Sequence, residues 1–301
     1  MKVLITGACG FVARGLIKQL EERGHQLVLL DRINPEDATI FWPWAAEGRI
    51  KLPLVTTWPY VKAEILDFET LLATMQGINA VIHLAAAVSG DVEQGIATMH
   101  ANVCGTYTIL DAARRSGIAR VLCASSVNVF GTFYWRVSKK PIEYPSLPLD
   151  ETFEPIHEDP YSLSKQCNEL TCAMFARGYG MTTAALRFAG VWAGEGYDRA
   201  RSAPLTPTEA WSDDIYQWVH VDDVVTGIRQ ALEEPNLPPY GAYTLGAADT
   251  RCPENTMDLL SKFKPELAAK LTAPLPGRTA LLSIRKAQET FGYSPKYRLG
   301  N

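Results

Sequence analysis

The chain has 301 residues, enough for one large α/β domain with a smaller attachment, since domains commonly run about 100–200 residues. Apolar residues are 47% and charged residues 21%, which argues against disorder, and a net charge of −4 leaves no basic stripe for nucleic acid. The six cysteines, at 9, 104, 123, 167, 172 and 252, show neither Cys-x-x-Cys nor a zinc-type spacing, so free thiols in a reducing, cytoplasmic setting and no metal are expected.

Strand-forming residues begin directly after Met1-Lys2, and the longest apolar run, Ala80 to Val88, is broken by His83, so neither a signal peptide nor a membrane span is expected. Val3 to Thr6 reads as a strand, Gly7-Ala8-Cys9-Gly10 as a turn, Phe11 to Arg23 as an amphipathic helix, and Gln26 to Leu30 as a second strand ending on Asp31. Gly7 permits a sharp exit from the strand, and Gly10 lets a pyrophosphate meet bare backbone at the positive end of the helix. Asp31, about twenty residues on, is placed to accept hydrogen bonds from an adenosine ribose. Ala13 fills the third small position, where helix and strand pack closely.

Asn34 to Lys62 is long for a connection in a doubly wound sheet, where about 2–6 residues is usual. It carries Trp42, Trp44 and Trp58, which either cover an adenine, form a subunit contact, or pack within the segment itself. Alternation then resumes, with strands at Val61–Leu66, Ala80–Leu84 and Arg120–Ala124 and helices at Phe68–Met75 and Val92–Arg115. Gly131 to Asp159 reads as a loop, Pro160 to Tyr179 as a helix and Thr182 to Phe188 as a strand. Beyond Val191 the order changes: Trp192 to Gln217 is loop-like, Trp218 to Asp223 is a short strand into a helix from Val224 to Leu232, and short helices and loops follow. The expected fold is α/β, a Rossmann-type doubly wound parallel sheet over residues 1–190, with a small C-terminal substrate lobe over 191–301 from which about 218–235 returns to the first domain. Ligands of such sheets lie beyond the carboxyl ends of the strands, where Asp31, Leu84 to Ala86 and Ser125-Ser126 all fall.

Tyr161 and Lys165 are four apart on one helix face, so both point at a common place. A nearby ammonium favours the phenolate and is expected to draw the tyrosine pKa from about 10 toward working pH. Such a tyrosine exchanges a proton with a carbinol as hydride moves to or from a nicotinamide, and Ser126, at a strand end, is placed to hydrogen-bond the same oxygen.

These motifs resemble a known family. Thr6 to Val12, His83-Leu84-Ala85-Ala86, Asn102 to Thr106, Ser125-Ser126 five residues before Gly131, Tyr161 to Lys165, Leu186-Arg187-Phe188 and Val219 to Asp223 are similar to the successive motifs of extended short-chain dehydrogenases/reductases, the NAD-dependent epimerase/dehydratase group. The resemblance covers about residues 1–235. It implies a bound NAD, with Tyr161, Lys165 and Ser126 as the catalytic three. It also implies cofactor contacts at Gly7, Gly10, Phe11, Val12, Asp31, Arg32, Leu84, Ala85, Ala86, Asn102, Ser125, Lys165 and Phe188, and at Glu64-Ile65, where the family usually has Asp-Ile or Asp-Val. Asp31 disfavours the extra phosphate of NADP, whereas Arg32 beside it tolerates one; NAD is the expectation. A homodimer through the helices Val92–Arg115 and Pro160–Tyr179 is implied as well.

The family performs dehydrogenation, epimerisation and dehydration. The Asp-Glu pair of its dehydratases is replaced here by Val127-Asn128, which argues against dehydration. Nucleotide-sugar epimerases commonly carry asparagine three residues after the arginine of the Arg187 motif, where this chain has Gly190. Arg199, Arg201 and Arg278 are candidates to meet a substrate anion, each with a solvated surface charge as its alternative, and Ser126, Asn128 and Gly190 are the remaining substrate-side candidates. The reading is an NAD-dependent enzyme acting on a sugar or nucleotide-sugar, of the UDP-sugar 4-epimerase type. Alternatives are a dehydrogenase of a free sugar or uronic acid, whose Asn-His after the strand-end serine is not reproduced here, and a catalytically silent dinucleotide-sensing regulator.

Overall fold

The computed structural model describes residues 1–41, 48–133, 135–203 and 206–299. Trp42 and Trp44 lie outside the described residues.

The chain begins as expected, with β1 (Lys2–Thr6), α1 (Phe11–Glu22) and β2 (Gln26–Asp31). The long connection that follows folds into a small antiparallel pair, β3 (Thr39–Phe41) with β4 (Arg49–Lys51), ahead of β5 (Tyr60–Lys62). It is tied back to the first helix by Arg14, which donates to the carbonyls of Leu52 and Pro53, and Trp58 packs half-buried against the main core. Its described residues thus contact α1 and the main core. The strand expected over Val61–Leu66 is shorter because residues 64 to 66 leave the sheet to line a cleft.

Next come α2 (Phe68–Thr74), capped by Asp67, then β6 (Ala80–His83), α3 (Gly95–Met99), a π turn (His100–Cys104) and α4 (Gly105–Arg115). The helix expected over Val92–Arg115 is thus interrupted where Asn102 turns inward. Then follow β7 (Arg120–Ser126), the long loop, α5 (Pro160–Tyr179), β8 (Thr182–Phe188), β9 (Val191–Trp192), α6 (Gly194–Ser202), β10 (Val219–His220), α7 (Val221–Glu233), β11 (Tyr240–Leu245), α8 (Thr256–Phe263), α9 (Pro265–Ala268) and α10 (Arg285–Phe291).

Two of these elements depart from the sequence reading. α6 occupies part of the stretch read as a loop; it buries only Gly196 and Tyr197, too little to leave an apolar period. β11 was not expected at all, yet it pairs in parallel with β8 from Tyr240↔Thr183 to Leu245↔Phe188 and forms the edge of the sheet. The C-terminal half therefore returns to the first domain twice, through α7 packed on α1 and through β11.

The seven-stranded sheet has the order β11-β8-β7-β6-β1-β2-β5, with every pair parallel. Alternate residues of its strands enter two cores. Val3 and Ile5 pack with Leu16, Leu20, Val224 and Ile228 on one face, and Leu4 and Val81 with Leu71, Ile109 and Phe175 on the other. Burial on both faces is why these strands read as near-continuous apolar runs. The strand order reverses between β1 and β6, so a crevice opens between their carboxyl ends. Among the described residues, no helix is long and apolar enough to cross a membrane.

Candidate active site

The crevice is a cleft of about 220 Å³ lined by Gly7, Gly10, Asp31, Arg32, Glu64, Ile65, Leu84, Ala85 and Ala86, all expected there, and by Ala63, Leu66, Ala87 and Ala101, which the sequence did not single out. Gly7 has φ +71°, and a Cβ on it would stand 2.6 Å from the Ala85 nitrogen, so the backbone of β6's extension lies directly on it. Gly10 caps α1 without a side chain, which leaves the first-turn N–H groups at Phe11 and Val12 beside the cleft for an anion. Asp31 does more than its position suggested: one carboxylate oxygen accepts from the Cys9 N–H at 3.0 Å and the other from the Arg32 N–H at 2.7 Å, tying the glycine turn to the end of β2. Ile65 is seated on Gly105, where a Cβ would come within 2.4 Å of its Cδ1.

The far wall is fixed by buried polar pairs. The Thr6 hydroxyl meets His83 Nδ1 at 2.7 Å, and His83 Nε2 meets the Thr106 hydroxyl at 3.2 Å. Burial, with Lys165 nearby, pushes His83 down to about 3, so its ring is a neutral strut. Asn102 accepts from the Ala87 N–H at 2.7 Å and donates to the Ala87 carbonyl and to the Ser164 hydroxyl, both at 2.9 Å. Its amide thus shapes the cleft wall and joins it to α5. The Ser125 hydroxyl donates to Glu169 at 2.7 Å. Phe188, paired in register with Ser126, packs half-buried against the main core at the sheet end.

α5 starts at Pro160, its first turn capped by Asp159, which accepts from the Ser162 N–H at 2.8 Å. The start is further held by the Ser164 hydroxyl, which donates to the Tyr161 carbonyl at 2.7 Å. These constraints present Tyr161 and Lys165 to the end of β7. Tyr161 is hydrogen-bonded to the Ser126 hydroxyl, and Lys165 Nζ donates to the Ala124 carbonyl at 3.1 Å while standing 5.5 Å from the Tyr161 ring centroid. The three residues expected to act together are together.

Their electrostatics differ from the expectation. Burial pushes the Tyr161 phenol up to about 12, with Ser126 pulling the other way, and burial pushes Lys165 down to about 8. Desolvation is the largest cause for each group, so Tyr161 stands protonated at neutral pH and Lys165 loses its proton near pH 8. One turn beyond Lys165, Glu169 receives a bidentate pair from Arg187 at 2.9 and 2.8 Å, both side chains almost wholly buried. This ion pair locks α5 to β8 and was not recognised in the sequence.

The substrate-side candidates are scattered. Asn128 is buried in a 3₁₀ turn, its N–H on the Ser126 oxygen, and the Gly190 N–H donates to Gln217 at 2.6 Å. Arg199 pairs with Glu195 on the exposed face of α6, and Arg201 is exposed on the same helix. Arg278 is partly buried and held by Asp249 and the Thr250 carbonyl at 3.1 and 2.8 Å. Among the described residues there is no group of three or more His, Cys, Asp or Glu side chains able to hold a metal.

Residues 3–246 match the model of the NAD dependent epimerase/dehydratase family. The chain belongs to that family. Its curated relatives include the protein CapI of Staphylococcus aureus, 27% identical over 253 residues, covering 79% of this chain and 71% of CapI. The UDP-glucose 4-epimerase of Corynebacterium glutamicum is 22% identical over 326 residues, covering 99% of this chain and 92% of that protein. Among solved structures, UDP-glucose 4-epimerase of Thermotoga maritima with UDP-glucose superposes with a TM-score of 0.68 at 24% identity, covering 99% of this chain and 95% of that one. This family is NAD-dependent, and the cleft fits that cofactor: an uncapped helix terminus for a pyrophosphate, a bare Gly10 beside it, and a carboxylate at the tip of β2.

Proposed function

We propose that this epimerase/dehydratase-family member acts on a carbinol carbon of a sugar or nucleotide-sugar, as a 4-epimerase of the UDP-sugar type. The carrying observation is the joined Tyr161, Ser126 and Lys165 at the same sheet edge as the cleft. When bound, NAD supplies a hydride acceptor and donor. Gly7, Gly10 and the α1 terminus would hold its pyrophosphate and Asp31 its adenosine ribose, and Leu84 to Ala87 line the same cleft. Tyr161 gives a proton to a developing alkoxide or takes one from a carbinol, Ser126 hydrogen-bonds the same phenolic oxygen, and the Lys165 ammonium supports the phenolate when it forms. Oxidation needs that phenolate, so its rate rises with pH.

The second reading is net oxidation of a free sugar or uronic acid; Arg199 and Arg278 are already paired with Glu195 and Asp249 rather than standing ready for a diphosphate, which favours a free neutral sugar within it. Incubating the protein with NAD and a panel of free and nucleotide-linked sugars separates the two. Interconversion of isomers without NADH supports the epimerase, and net NADH formation the dehydrogenase. No turnover, together with a Tyr161→Phe protein that keeps every property of the wild type, would support a silent nucleotide sensor. Assembly as a homodimer is supported by exposed Ile96, Tyr107, Leu163 and Leu170 along α3, α4 and α5, and light scattering on the purified protein tests it.

A further inference from the structure

Beyond the three residues that do the chemistry, something must orient the reacting ring against Tyr161. The tyrosine ring has Lys165 at one side. Against it, edge to face, stands the indole of Trp135, with centroids 5.4 Å apart and planes at 80°. Trp135 comes from the long loop between β7 and α5, whose described residues form no strand or α-helix.

The indole is seated rather than draped. It rests on Gly90, where a Cβ would fall 2.1 Å from both Cγ and Cδ2, so a side chain at 90 and the indole cannot share this place. Gly90 lies three residues beyond Ala87, the end of the run Leu84 to Ala87 that lines the cofactor cleft. The loop around Trp135 is hooked down on both sides of the mouth. Arg136, only 9% exposed, donates to the Lys140 carbonyl and pairs with Glu158 and Asp213, each at 3.5 Å. Ser138 bonds Glu158 through its N–H at 2.6 Å and its hydroxyl at 2.8 Å. Glu158 precedes the cap of α5, so the loop and the turn that presents Tyr161 are held to one another.

We propose that Trp135 is the substrate-positioning residue of this site: its indole is the wall on which the C–H face of a pyranose or similar ring-shaped carbinol packs beside the Tyr161 oxygen. This rests on the reading of Tyr161 as the acid–base group. An aromatic face carries a negative quadrupole that attracts the polarised C–H groups of a sugar, and a large rigid ring supplies contact area at little cost in side-chain freedom. A wall of this kind contributes the same binding in ground and transition states, so its loss shows in KM rather than in kcat.

The test uses the full-length, NAD-loaded protein with glucose, galactose, glucuronate, UDP-glucose and UDP-glucuronate as probes, read by tryptophan emission and steady-state kinetics. Expected is a probe-dependent change of emission in the wild type that is missing in Trp135→Phe. Trp135→Ala raises the KM of the substrate about 10- to 100-fold with kcat within about threefold, and Trp135→Phe restores most of it. Gly90→Ala, which pushes the indole off its seat, gives the same KM signature with the indole still present, so a poorly folding Trp135→Ala does not decide the matter. An unchanged KM in these variants, an emission change by no probe, or a loss of NAD affinity in place of the KM effect overturns the proposal. Tyr161→Phe tests the underlying reading separately: if it keeps full turnover the acid–base assignment falls, while the emission and KM results on Trp135 still stand or fall by themselves.

Discussion

On the β1–β6 side of the crevice, the cleft is made from strand ends and one helix terminus; on the β7–β8 side, Tyr161 is met by Trp135 of the long loop between β7 and α5. In the first region most contacts are backbone: the Cys9 N–H on Asp31, the Ala87 backbone on Asn102, the Ala85 backbone on Gly7. In the second they are side chains gathered from far along the chain, such as Arg136 with Asp213 and Arg278 with Asp249. A dinucleotide common to a family is met by backbone geometry that many sequences reproduce, whereas the substrate is met by side chains that each member sets for itself.

The contrast can be broken most sharply at the place where the regions meet. Tyr161→Phe keeps the ring and its packing but removes the hydroxyl proposed to carry the proton, and is expected to lower turnover about 10²–10⁴-fold with NAD affinity unchanged, as measured by kinetics and coenzyme titration. Glu169→Gln strikes the scaffold instead: it leaves the Arg187 guanidinium buried without its counter-charge and is expected to destabilise the fold by about 3–5 kcal/mol in urea unfolding. Gly7→Ala acts on the cofactor side alone. A Cβ at positive φ, pressed on the Ala85 nitrogen, is expected to cost about 1–3 kcal/mol in stability and to weaken NAD binding while leaving the Trp135 wall in place. Equal loss of NAD affinity from Gly7→Ala and Trp135→Ala would erase the distinction between the two regions.

The smallest expected effect is a pH dependence. The Lys165 ammonium is lowered by burial from its ordinary 10.5 to about 8, so above pH 8 the folded protein holds fewer protons than the unfolded chain, and stability rises with pH. The raised phenol of Tyr161 works in the opposite sense above pH 10. Between pH 8 and 10 the wild type should therefore gain on Lys165→Met by about 1–2 kcal/mol, read from paired unfolding curves; a constant difference would show that Lys165 is not desolvated.

What the sequence determined by itself is whatever short-range chemistry dictates: the strand, turn, helix and acid of residues 1–31, the Tyr161 and Lys165 pair on one helix face, and Ser126 at a strand end. Those patterns survive because helix periodicity, glycine conformation and strand-end placement are local. Partners far apart in the chain left no such trace. β11 pairs with β8 over more than fifty residues, Arg278 with Asp249 across a lobe, and Glu169 with both Arg187 and Ser125. The sign of the Tyr161 shift was likewise decided by tertiary structure, since the spacing showed an ammonium nearby but not the depth at which both groups are buried. Desolvation is a property of everything packed around a group, and only the assembled fold supplies it.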